Sequence, residues 1–161
     1  MFKELDKRKI SEVEISILEK WEKENILEKT IQNRIQNENY VFYDGPAYAN
    51  GYPGLHHMLA KFLKDAFCKY QTMNGKKVYR KVGWDCHGLP VELKVEGELG
   101  IKNKKEIETL GIEKFNKKCE ESVLDNEKSF VDLTKRMGQF IDTDNPYLTY
   151  KDYYIETEWW I

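Results

Sequence analysis

The sequence predicts an α/β protein: parallel strands with flanking helices, followed by a helical C-terminal segment. Three observations predict it. Two short β-rich runs each end in a glycine-bearing loop, each loop leads into a helix, and beyond the second helix the apolar spacing stays helical. Strand, loop and helix repeated in this order begin a parallel sheet, because parallel neighbours need a crossover between them.

The first element is a helix opening after Ser11. Ser11 and Glu14 have the spacing of a capping box, and Ile10 and Ile15 that of a hydrophobic staple. Val13, Ile17, Leu18 and Trp21 form its apolar face. Lys29 to Asn39 is rich in Asn and Gln and reads as a connector, so the chain divides into a helical appendage with connector (1–39) and a main domain (40–161). Tyr40-Val41-Phe42-Tyr43 reads as a buried strand stopped by Asp44-Gly45-Pro46. Asn50-Gly51 and Pro53-Gly54 mark turns, and an amphipathic helix begins between Leu55 and His57. Leu59, Phe62, Leu63, Ala66, Phe67 and Tyr70 recur along it at helical spacing, and Gly75 stands where it stops.

The second strand carries Val78, Arg80, Val82 and Trp84 on one face and Tyr79 on the other. It runs into the loop Gly83 to Leu89, and Pro90 falls in the first turn of the next helix. Phe115, Cys119, Val123, Phe130, Leu133, Met137 and Phe140 track one face of a long helix, with a break expected near Asn126. Asp142 to Pro146 reads as an acidic turn, and Tyr153 to Ile161 as another amphipathic helix. Trp159, Trp160 and Ile161 end it without a cap. Large apolar side chains in that position are expected to pack against further chain, so the sequence reads as the N-terminal piece of a longer protein.

The 161 residues suffice for one domain with a sizeable core. A net charge of -2 argues against a chain that is a basic nucleic-acid binder as a whole. Lys76, Lys77, Arg80 and Lys81 make one local basic stretch, read as a solvated strand edge. Cys68, Cys86 and Cys119 lie too far apart for a CxxC pair, the first ten residues are charged, and no apolar run nears the ~20 residues of a membrane span. The expectation is a soluble cytoplasmic chain with free thiols and no membrane contact.

Functional loops of parallel sheets sit at the carboxyl ends of the strands, where both loops fall here. There is no Walker loop and no G-x-G-x-x-G fingerprint. The candidate phosphate device is Pro53-Gly54-Leu55-His56-His57, where unpaired N–H groups and the helix dipole attract anions. Imidazoles there add hydrogen bonds that strengthen as charge builds in a transition state. The competing reading makes both histidines surface or capping residues. A metal site from His56, His57, His87 and the cysteines is disfavoured, since adjacent histidines point to different helix faces and no close-spaced ligand pairs occur. Asp85, at the end of the second strand, suits a substrate ammonium, or alternatively caps the helix at Leu89 or Pro90. Trp84 is expected in the core.

Together these segments resemble one family. Asp44-Gly45-Pro46-Ala47-Tyr48-Ala49-Asn50-Gly51 is similar to the isoleucyl-tRNA synthetase segment that leads into the His-x-Gly-His motif of class I synthetases. Gly83-Trp84-Asp85-Cys86-His87-Gly88-Leu89-Pro90-Val91-Glu92 is similar to that family's second catalytic-domain motif, and Tyr154 to Trp160 also matches its pattern. The Trp-Asp-Cys-His-Gly-Leu-Pro string separates it from valyl, leucyl and methionyl relatives. The resemblance spans essentially the whole chain. The His-x-Gly-His motif reads Gly54-Leu55-His56-His57 here, with the second histidine kept and a histidine where the motif has glycine.

The resemblance implies the first half of a Rossmann-like catalytic domain that activates L-isoleucine with ATP and Mg²⁺ for transfer to tRNA(Ile), in a monomer. His57, and His56 with it, would stabilise the phosphates. Gly54 and Asn50 would border the nucleotide, Gly45 and Pro46 would line the amino-acid pocket, and Asp85 would hold the α-ammonium. No protein-bound metal is implied. The second half-site, the editing domain and the anticodon-binding region would lie outside this chain, which is expected to be inactive alone.

Overall fold

The β-rich runs form strands β1 (Asn39–Tyr43) and β2 (Lys77–Trp84) in a computed structural model that describes residues 7–161. The charged start over residues 1–6 lies outside the described residues. The two strands pair in parallel, Tyr40 opposite Val78 and Phe42 opposite Arg80, and helix α3 (Leu55–Met73) is the crossover between them. A third strand, β3 (Asp142–Leu148), pairs in parallel with the other edge of β2, Gly83 opposite Tyr147, giving the order β1-β2-β3.

The sequence reading of 142–146 as an acidic turn is therefore corrected. The local signal is real, since the Asp142 carboxylate accepts the N–H groups of Asp144 (2.9 Å) and Asn145 (3.2 Å). Buried Ile141 and Tyr147 on either side anchor the segment to the core, and its backbone extends along β2. Tertiary packing overrides the turn chemistry.

The N-terminal part also differs from expectation. Helix α1 (Ile10–Lys23) starts one residue before Ser11, and Glu12, not Glu14, turns back to accept the Lys9 N–H at 3.3 Å. Ile10 and Ile15 stay exposed, so no staple closes. The first four residues of the supposed connector, 29–32, are helical and close α2 (Ile26–Gln32). Beyond it, the Asn37 amide donates to the Gly75 carbonyl at 2.6 Å, at a left-handed glycine just past α3.

Because β2 is the middle strand, its basic residues are not a solvated edge. Arg80 is 4% exposed and donates to the Cys68 and Phe140 carbonyls (3.1 and 3.2 Å) and to the Thr72 hydroxyl. Lys77 is buried as well, while Lys76 and Lys81 are half-buried, Lys76 pairing with Glu38 at 3.1 Å. These partners decide how α3 is turned. Its polar side, with Lys61, Cys68 and Thr72 buried, faces the sheet, while Leu59, Phe62, Leu63, Phe67 and Tyr70 point outward. The helical spacing located the helix correctly, but its apolar face is not the one that meets this sheet.

Helix α4 (Leu89–Leu99) follows β2, and α5 (Lys104–Leu110), α6 (Ile112–Ser122) and α7 (Glu127–Arg136) replace the expected long helix. The break falls at 123–126, next to Asn126 as expected, and Phe140 lies beyond α7. The core gathers at the carboxyl end of β2: Ala49, Val82, Trp84, Cys86, Val91, Val123, Phe130 and Ile141. Trp84 is 1% exposed, meets Phe130 edge-on at 5.7 Å and donates its indole N–H to Glu127 at 2.9 Å. Helix α8 (Asp152–Trp160) is not amphipathic here, since only Tyr154 is half-buried and Trp159, Trp160 and Ile161 are exposed. Among the described residues, no helix is long and apolar enough to cross a membrane.

Candidate functional site

The two loops meet at the carboxyl ends of β1 and β2. Ala47 pairs with Trp84 as an isolated parallel bridge, and the Asp85 N–H donates to the Ala47 carbonyl at 3.0 Å. The first loop thus runs on as a short extension of the sheet. The Asn126 N–H holds the same loop from α7 through the Ala49 carbonyl, at 3.0 Å. The Thr149 hydroxyl, just past β3, accepts the Cys86 N–H at 2.9 Å and fixes the second loop.

Between the loops lies a small cavity of about 340 Å³, lined by Pro46, Asp85, His87, Thr149, Tyr154 and Glu158 among others. Pro46 and Asp85, predicted separately from the two loops, are thereby brought to one space. Asp85 does not cap α4, whose N-cap is Gly88; its carboxylate accepts the His87 N–H at 3.3 Å within the loop. It also receives the Tyr48 phenol, whose pKa rises through burial, this hydrogen bond and the carboxylate's charge. A carboxylate accepts more than one donor, so these contacts leave Asp85 with acceptor capacity facing the cavity.

The histidine pair sits in the first turn of α3. The His57 N–H donates to the Gly54 carbonyl (3.0 Å), and His57 Nδ1 accepts the Gly54 N–H (2.9 Å), a reciprocal cap. An accepting Nδ1 carries no hydrogen, so the neutral ring holds its proton on Nε2. Burial lowers the His57 pKa, and the charges of His56, Lys61 and Lys64 lower it further. The ring is a neutral donor at pH 7. It packs edge-on against Phe130 at 5.0 Å and lies 3.8 Å from the His56 ring. His56 folds back over Gly54: a side chain at 54 would meet its Cε1 at 3.0 Å and its Nδ1 at 3.1 Å. Asn50 is turned to α4, its amide donating to the Pro90 carbonyl at 3.1 Å.

Sequence reasoning passed over the groups beneath these loops. Asp44 is buried and ion-paired with Lys64 (2.5 Å) and Lys61 (3.8 Å), and its carbonyl accepts the Tyr147 phenol from β3. Gly45 lies beside the same cluster, 3.7 Å separating Lys64 Nζ from where its Cβ would stand. The available signal was spacing: His57, Lys61 and Lys64 are i, i+4 and i+7 of one helix face. Among the described residues, no three His, Cys, Asp or Glu side chains stand together as a metal site.

A parallel α/β sheet with both loops at adjacent strand ends belongs to the class of folds whose ligand sites lie at the carboxyl ends of the strands. The particular family follows from comparison. Residues 16–161 match the family described as tRNA synthetases class I (I, L, M and V), and the chain belongs to it. It is 47% identical over 148 residues to an isoleucine--tRNA ligase of Thermobifida fusca, and 50% identical over 148 residues to isoleucine--tRNA ligase 2 of Bacillus anthracis. Each alignment covers 92% of this chain and 14% of the relative. An isoleucine--tRNA ligase of Clostridium kluyveri is 44% identical over 161 residues, 99% of this chain and 16% of its own length. The chain thus spans about one seventh of the curated relatives it matches.

Proposed function

We propose that this chain is the first half of the activation site of an isoleucine--tRNA ligase, which joins L-isoleucine to ATP as an adenylate and passes it to tRNA(Ile). Residues 1–39 are then an N-terminal appendage and connector, and 40–161 the first part of the nucleotide-binding domain. The observation that carries the reading is the hydrogen bond from the Asp85 N–H to the Ala47 carbonyl, which holds Asp85 beside the loop that follows Gly45-Pro46.

Activation is an in-line attack of the isoleucine carboxylate on the α-phosphate, so the protein's task is placement and charge stabilisation. Gly45 and Pro46 border the amino acid, and Asp85 takes its ammonium. Gly54 and Asn50 lie on the nucleotide side. His57 donates through Nε2 to the phosphates, having committed Nδ1 to Gly54. His56 fills the space that Gly54 leaves and supplies a second imidazole, in the role of the motif's first histidine. Mg²⁺ would arrive with ATP and neutralise phosphate charge. tRNA contacts lie mainly outside this chain, and the whole enzyme is a cytoplasmic monomer.

The test is isoleucine-dependent ATP–pyrophosphate exchange by a hybrid in which this chain replaces the matching segment of the Clostridium kluyveri relative. Exchange should be faster with isoleucine than with valine, leucine or methionine. A hybrid that folds but prefers another amino acid, or exchanges with none, refutes the reading.

A further inference from the structure

We propose that Asp44 is a positioning residue for activation: a clasp that fixes the Gly45-Pro46 loop to the face of α3 carrying His57. The proposal rests on the functional reading above.

Asp44 is held on every side. Its N–H donates to the Lys81 carbonyl of β2 at 2.8 Å, and its carbonyl accepts the Tyr147 phenol from β3. One carboxylate oxygen takes the Lys64 ammonium at 2.5 Å and the other faces Lys61 at 3.8 Å. Asp44 is 4% exposed and Lys61 5%, so the pair is withdrawn from water, while Lys64 keeps a third of its side chain open. One carboxylate therefore grips α3 one and two turns behind His57, and the next residue along the chain is Gly45.

Stability alone does not account for this arrangement. Buried ion pairs are often matched or bettered by apolar side chains of similar volume. What the ion pairs add is direction. They fix the separation between the loop that would hold the amino acid and the helix start that would hold the phosphates. In-line attack requires that separation, and a misplacement of about 1 Å costs on the order of 100-fold in rate. Each half would still bind its own substrate with the clasp cut, because neither loop loses its contacting groups. The signature is a slower joining step with nearly unchanged KM values.

The experiment is single-turnover adenylate formation in the Clostridium kluyveri hybrid, comparing the parent with Asp44→Asn. Burst amplitude counts folded sites, and the rate constant reports placement within each site, so partial unfolding lowers only the amplitude. Asp44→Asn should fire about 30- to 100-fold more slowly per site, with the KM values for isoleucine and ATP each within about threefold. A rate constant within twofold of the parent overturns the clasp and leaves the functional reading standing. A parent hybrid without exchange overturns both. If Asp44→Asn gives no folded protein, Lys64→Met replaces it. That variant keeps the carboxylate with Lys61, and a per-site rate about tenfold down supports the clasp, whereas an unchanged rate removes it.

Discussion

Replacing His57 by alanine, asparagine and glutamine in the hybrid separates its two nitrogens. Nδ1 accepts the Gly54 N–H at 2.9 Å, so only Nε2 is left to donate to a phosphate. Alanine removes both functions. Losing one transition-state donor costs roughly 10²–10³ in rate, or about 2.7–4 kcal/mol of barrier. Losing the cap hydrogen bond costs only about 0.5–1.5 kcal/mol, and that falls on folding rather than on the chemical step. Glutamine offers an N–H near the Nε2 position, whereas asparagine offers an oxygen near Nδ1. Single-turnover rates should therefore run His57, then glutamine, then asparagine and alanine together, with ATP binding changed little throughout. The order in thermal stability should favour asparagine over glutamine. The lowered pKa keeps the ring neutral, and the stability it adds is present above pH 6.5 and lost as pH falls through the folded value below that. A His57→Ala hybrid running at the parent's rate, or asparagine outrunning glutamine, would refute the assignment of this loop.

Asp85→Ala should weaken isoleucine far more than ATP, by about 2–5 kcal/mol from the loss of a charge partner. Equal weakening of both substrates, read from their separate KM values, would favour an Asp85 that only shapes its loop through the His87 N–H. His56→Ala should slow adenylate formation, because the ring fills the space over Gly54; an unchanged rate with slightly altered ATP binding would instead put His56 beside the adenine. The 161-residue chain by itself should give no pyrophosphate exchange above a buffer control, since half a split site leaves the triphosphate without its opposing clamp. The Tyr147 phenol, pushed from 10.0 up to about 12 first by burial and then by Asp44, favours the neutral form in the fold. Its contribution to stability should hold below pH 10 and fade as pH rises toward 12, and Tyr147→Phe should remove that alkaline loss in denaturation curves.

Where local chemistry and tertiary packing agreed, the sequence was easy to read. Asp44-Gly45-Pro46 stops β1 because proline has no N–H to give the ladder, and Pro90 marks α4 because its missing N–H has no partner to lose there. Trp84 was readable as core from its strand-end place. β3 was hidden because Asp142, Asp144 and Asn145 satisfy each other in a turn-like pattern, while Ile141 and Tyr147 outweigh it from outside the window. The orientation of α3 was hidden for the opposite reason. Its apolar spacing is genuine, but buried Asp44 and Arg80 need polar partners, and only the lysine–threonine side of the helix offers them. Of the candidate site, the strand-end placement of the two loops and of Asp85 was legible from position. The lysine cluster beneath them was not, because a pattern scan reads lysines as solvated.

Tyr147 reaches Asp44 by lying across the middle strand. Gly83 is its register partner, and a single added carbon there would sit 2.1 Å from the tyrosine ring. Two strands that share no ladder, β1 and β3, are in this way riveted through the side-chain gap of the third. Positions 83 and 147 consequently cannot be changed independently of one another. A larger residue at 83 demands a smaller one at 147, and that exchange also unties the carbonyl of Asp44.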